Sequence, residues 1–130
     1  MIEIMIEGID TEQGLANCNG SAEAYREVLG SFLEDAEVKI QEFKSLETKN
    51  TKTIKKLNKK ELCRFSQNAH AVKGISSIIG ARLLSEKAAF LEIAGKSGDI
   101  DTIQKNFQDF FRDFETITER IRSYLKTPAL

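Results

Sequence analysis

The chain has one histidine, His70, and around it at helical spacing stand Gln67, Lys73, Gly74 and Ser77. A lone imidazole can serve as a nucleophile or a proton carrier. It excludes a multi-histidine metal centre and any catalytic relay through a second histidine. Lys73 is three residues on, close enough for its ammonium to offset negative charge brought to the ring. Gly74, on the same stripe, weakens a helix by about 1 kcal/mol relative to alanine, so something other than helix stability favours it. Without a side chain at 74, a phosphoryl group or another protein's backbone can come close to the imidazole. The plain alternative, an ordinary surface histidine, gives no reason for that glycine.

Other chemistries lack their residues. There is no glycine-rich phosphate loop, no carboxylate cluster to hold Mg²⁺ and no nucleophile elbow, so neither ATP binding, self-phosphorylation nor metal-dependent hydrolysis is expected. Cys18 and Cys63 belong to no CxxC or Cys/His cluster, which leaves them as reduced thiols with no zinc site and no disulfide scaffold. Nineteen basic and twenty acidic residues give a net charge of −1, so whole-molecule attraction to nucleic acid or an anionic membrane is not expected. No apolar run reaches the roughly 18 residues of a membrane span, and the glutamate-rich start is unlike a secretory signal. These features predict a soluble, cytoplasmic chain without metal or cofactor.

The elements that would position His70 follow from apolar spacing. Leu62, Phe65, Ala69, Val72, Ser76 and Ile79 recur at steps of three and four, the period of one helix face. At about 100° per residue, His70 falls outside that cluster and faces solvent, together with Ser66, Gln67, Lys73, Gly74 and Ser77. Asn58 with Glu61 reads as a capping box that opens this helix, and Gly80 ends it. Tyr25, Leu29, Phe32, Ala36, Ile40 and Phe43 mark an earlier helix capped by Ser21; Leu84, Ala88, Leu91 and Ala94 mark a later one. The longest stripe runs from Ile100 to Tyr124, with Asp99 as its cap and Gly95 and Gly98 marking the break before it. Its row Phe107, Phe110, Phe111 and Phe114 reads as core, because it keeps helical spacing and lacks an interleaved basic face for stacking bases.

Four single-stripe helices pack most simply as an all-α, antiparallel up-down-up-down four-helix bundle. The expected layout is one domain over 1–130. Residues 1–20 form an extended lead-in and a short helix from Asp10 to Asn17 lying across the bundle, 21–125 the bundle, and 126–130 a tail containing the sole proline, Pro128. From Leu46 to Leu57 few apolar residues occur, so this stretch reads as a frayed helix end and loop.

Ala69-His70-Ala71-Val72-Lys73-Gly74, followed by Gly80-Ala81, resembles the signature of histidine-containing phosphotransfer (HPt) domains of bacterial phosphorelays. The similarity runs from about Gly8 to Tyr124 and includes Gly14-Leu15, Tyr25, Leu29, Phe32-Leu33-Glu34-Asp35 and Leu91-Glu92. What the resemblance implies is a phosphorylated histidine exposed midway along a helix of a four-helix bundle. It gives His70 the role of phosphoacceptor, Lys73 that of electrostatic support and Gly74 that of access. Glu92 matches the family position that orients the histidine through its other ring nitrogen, holding Nε2 outward and favouring the imidazolium; the alternative for Glu92 is a solvated surface carboxylate. Lys96, one turn later, is either an aid to the phosphoryl group or a generic surface lysine.

The resemblance also implies partners. Receiver domains of a hybrid sensor kinase or a response regulator would supply both the aspartate and the Mg²⁺, docking on a patch of Gln67, Ala71, Ser77 and Ile78, with plain core packing an equal alternative for Ile78. The lysines from Lys44 to Lys60 could steer an acidic receiver, or form a solvated linker. The competing class is an unphosphorylated helical interaction module that uses this lysine-rich region. A monomer is expected, either free-standing or as the cytoplasmic C-terminal domain of a membrane-anchored hybrid kinase.

Overall fold

The computed structural model describes residues 4–48 and 54–127. Five helices occur in this order: α1 Thr11–Asn17, α2 Ala22–Lys44, α3 Lys59–Ile79, α4 Arg82–Ser97 and α5 Ile100–Lys126. Helices α2 to α5 form a ring in which α2 packs on α3 and α5, and α4 on α3 and α5. Alternate directions follow from which ends meet. Tyr25 at the start of α2 donates to Ile79 O at the end of α3 at 2.7 Å, and Arg26 donates to the carbonyls of Leu125 and Thr127 at the end of α5. The chain thus has the all-α, antiparallel bundle expected from its four stripes.

Local chemistry sets the helix ends. Asp10, Ser21 and Asp99 each accept from a backbone N–H three residues on, satisfying donors that the first helical turn leaves free. Asn58 and Glu61 form the reciprocal capping box that starts α3. At its other end Gly80 takes φ 92°, and a Cβ there would also collide with Asp10 O, so glycine is required twice over. The carbonyls of Ile78, Ile79 and Gly80 would otherwise be orphaned; they accept from Asn17, Tyr25 and the Asp10 N–H. In this way α1 closes the end of the helix that carries His70.

The core is aromatic. Phe43 lies with its ring centroid 5.5–6.4 Å from those of Phe65, Phe107, Phe110, Phe111 and Phe114, mostly edge to face. The lead-in alternates as its sequence does: Ile4 and Ile6 are buried while Met5 is 75% exposed. Glu7 O accepts from Arg120 of α5 at 3.1 Å, which fixes this segment across the bundle.

Two expectations need correction. Gly95 does not mark the break before α5, because α4 continues through Ser97 and ends at Gly98 with φ 71°. Gly95 is instead a point of contact: a Cβ there would lie 3.1 Å from Ser66 Cβ on α3. The connection after α2 is also better anchored than its composition suggests. Ile54 and Leu57 are buried, Lys55 N–H donates to Leu46 O at 2.9 Å, and Gln104 of α5 donates to Ile54 O. Residues 49–53 of that connection, Met1 to Glu3, and Pro128 with the rest of 128–130 lie outside the described residues. Among the described residues no helix is long and apolar enough to cross a membrane.

Candidate functional site

The site forms where α3 and α4 run side by side. Ser85 of α4 donates to Lys73 O at 2.9 Å, and Ser66 of α3 donates to Glu92 O at 3.3 Å. Between these two cross-links, and with no side chain at Gly95 to hold the helices apart, the facing side chains of His70 and Glu92 meet. Ser66 is therefore buried, not on the open stripe with His70 as its angle on an isolated helix predicts. That angle places it toward α4, and the partner helix covers it.

His70 keeps 65% of its side chain exposed, while Glu92, directly beside it, keeps 6%. His70 Nδ1 lies 2.9 Å from Glu92 Oε2. An ionised carboxylate only accepts hydrogen bonds, so Nδ1 carries the proton and the lone pair of a neutral ring resides on Nε2. No described residue bonds Nε2.

Glu92 collects two further cations. Lys73 Nζ is 2.9 Å from Oε1 and Lys96 Nζ is 3.0 Å from Oε2. Burial alone would raise the carboxyl pKa. The Lys73 hydrogen bond foremost, with help from Lys96 and His70, lowers it instead from 4.5 to about 2. Glu92 is accordingly a charged anchor inside the α3–α4 seam.

The remaining residues singled out by sequence lie as follows. Gly74 is exposed, and a Cβ on it would meet nothing within 4 Å. Neither packing nor backbone conformation requires glycine there. Gln67 and Ser77 are exposed, Ile78 is 50% exposed and not part of the core, and Ala71 is half-buried. Glu92 is brought onto His70, and Lys73 onto Glu92; Ala71, Ser77 and Ile78 lie along the same helix and make no hydrogen bond or ion pair with the ring. The lysine-rich connection is partly occupied elsewhere, with Lys44 near Glu115 and Lys55 on Glu61. Among the described residues no group of three or more His, Cys, Asp or Glu is arranged to hold a metal ion.

Sequence reasoning missed the burial of Glu92 and the engagement of Lys96. Glu92 lies off the Leu84, Ala88, Leu91, Ala94 stripe, so periodicity alone makes it a surface carboxylate. The available signal was the Glu92–Lys96 spacing of four, the favourable order for such a pair. Leu83, Phe90 and Ile93, also off that stripe, remain exposed on the outer face of α4.

No protein-family model matches the sequence, and no curated protein matches it. Among solved structures, the histidine-containing phosphotransfer protein B of Pseudomonas aeruginosa PAO1 is similar, with a TM-score of 0.72 at 18% identity, over 95% of this chain and 98% of that one. The similarity establishes a shared all-helical fold.

Proposed function

We propose that this chain is a phosphorelay carrier in which His70 accepts a phosphoryl group from a receiver-domain aspartate and passes it to another receiver. The observation that carries this reading is an exposed imidazole whose Nδ1–H is bound by a buried, ionised carboxylate, leaving the Nε2 lone pair directed away from it. An exposed histidine needs no such anchor, and burying a carboxylate beside it costs desolvation that only its cations offset. The fold shared with a phosphotransfer protein supports the same reading.

The chemistry balances with the groups present. The Nε2 lone pair attacks phosphorus, the bond between phosphorus and the aspartyl oxygen breaks, and the electron pair returns to the receiver's carboxylate. The ring then carries a formal positive charge while keeping its Nδ1 proton, and Glu92 stabilises that charge at 2.9 Å. Lys73 moves from Glu92 Oε1 to the phosphoryl oxygens, where its charge is needed. Gly74 leaves room for the receiver's loops. Reversal of these steps hands the group on. An aspartyl phosphate is a reactive donor, so positioning and charge compensation suffice.

The chain is a phosphocarrier, not an autokinase, and uses Mg²⁺ held by the receiver. Gln67, Ala71, Ser77 and Ile78 contact that receiver, and the lysine-rich stretch from Lys44 to Lys60 steers its acidic active site. It acts as a monomer in the cytoplasm, free-standing or as the terminal domain of a hybrid kinase. Incubation with a phosphorylated receiver tests the assignment: the chain should acquire acid-labile, alkali-stable phosphate, and His70→Gln should acquire none. Transfer retained in His70→Gln would overturn it.

A further inference from the structure

Glu92 is a single negative charge shared by two ammonium groups, and the two are held differently. Lys73 reaches it across the helix seam and bonds Oε1; Lys96 reaches it within α4, four residues on, and bonds Oε2, the oxygen that also takes His70 Nδ1. Lys73 shares α3 with His70 and stands one turn further along it. If Lys73 turns toward an incoming phosphoryl group, the buried carboxylate gives up its cation on Oε1, and without Lys96 on Oε2 its ionised form would be less favoured. A protonated Glu92 could no longer stabilise charge on the ring.

We propose that Lys96 is a positioning residue that acts through Glu92: it keeps the carboxylate ionised and turned toward Nδ1 while Lys73 serves the phosphoryl group. This deepens the phosphocarrier reading and rests on it. Three features of the site favour the division of labour. A glutamate followed four residues later by a lysine is the stabilising order on a helix, so Lys96 needs no long-range contact to stay in place. Lys96 lies in the last turn of α4, where cations are favoured by the free carbonyls. The charged groups that bond Glu92 are His70 and Lys73 from α3 and Lys96 from α4. Their ammonium groups leave one net positive charge beside the ring, which partly balances an arriving phosphoryl group.

The test compares Lys96→Met and Lys96→Arg, each alone and combined with Glu92→Gln, in the full chain. The first readout needs no partner: the Glu92 carboxyl carbon is followed by NMR as pH is lowered while the amide spectrum stays folded. Lys96→Met should titrate at higher pH than wild type, and Lys96→Arg close to it. The second readout is the rate of transfer from a phosphorylated receiver. Lys96→Met should slow it roughly fivefold, a coupling of about 1 kcal/mol, and Lys96→Arg should restore it. In the Glu92→Gln background, adding Lys96→Met should change the rate less than about twofold, because the group it serves is gone.

An unmoved carboxyl titration overturns the inference, as does a full fivefold loss in the Glu92→Gln background, which would make Lys96 a direct ligand of the phosphoryl group. An unaltered transfer rate in Lys96→Met overturns it too. A wild-type chain that takes no phosphate refutes the carrier function instead, and the titration still decides whether Lys96 governs Glu92.

Discussion

Whether an imidazole is a nucleophile or a bystander is decided by what its second nitrogen touches. Here Nδ1 is bonded to Glu92, which fixes the tautomer and leaves the lone pair of the neutral ring on Nε2. The same carboxylate makes stability pH-dependent. Its folded pKa, about 2, lies below the 4.5 of an unperturbed glutamate, so its contribution is fully present above about 4.5 and lost as pH falls toward 2. Wild type should therefore be more stable than Glu92→Gln at neutral pH, with the gap closing as pH falls below about 4.5. Urea unfolding across that range checks it, and a gap that persists undiminished to pH 2.5 would contradict the ionised, cation-bound Glu92.

At the scale of the element, α3 carries a glycine that its own geometry does not need. Nothing lies within 4 Å of a Cβ built on Gly74, and the same holds for Gly30 in α2. Alanine at either position should raise stability by up to about 1 kcal/mol, seen as a rise of roughly 3–6 °C in melting temperature for a domain of this size. Function should separate the two. A long side chain in Gly74→Gln should impair transfer from a receiver severalfold while leaving the helix intact, and Gly30→Gln should not. Equal transfer in both would remove the reason for keeping position 74 bare. The capping box, the αL end at Gly80 and the His70 face were all legible from residue types, because each depends on neighbours within four positions. Gly95 was misread for the complementary reason: its partner, Ser66, is 29 residues away, and only the packed pair reveals why a side chain is excluded.

For the molecule as a whole, the site depends on how firmly the bundle holds α3 against α4. Phe43 is the centre of an aromatic cluster drawn from α2, α3 and α5, with no exposure to solvent. Truncation in Phe43→Ala should cost about 3–5 kcal/mol, since the surrounding rings cannot collapse fully into the space. Denaturant unfolding measures this; a loss under about 1 kcal/mol would show that the cluster is not the core's keystone. The effect on phosphotransfer should be small where the variant remains folded, because the His70–Glu92 pair is held by its own hydrogen bond and by the Ser66 and Ser85 cross-links between α3 and α4.

The amino-acid sequence by itself determined the four amphipathic helices, their caps, the outward aspect of His70 and the presence of a lysine and a bare position beside it. All of these are set by periodicity and by bonds between residues a few positions apart. Tertiary structure alone decided that Glu92 is buried, that Lys73 reaches it across the seam beside the local Lys96 pair, and that Ser66 is enclosed. The physical reason is that burial belongs to pairs of helices: a carboxylate off the apolar stripe of α4 is a surface group until α3 is laid against it, close at Gly95, which covers it and brings Lys73 and His70 within hydrogen-bond distance.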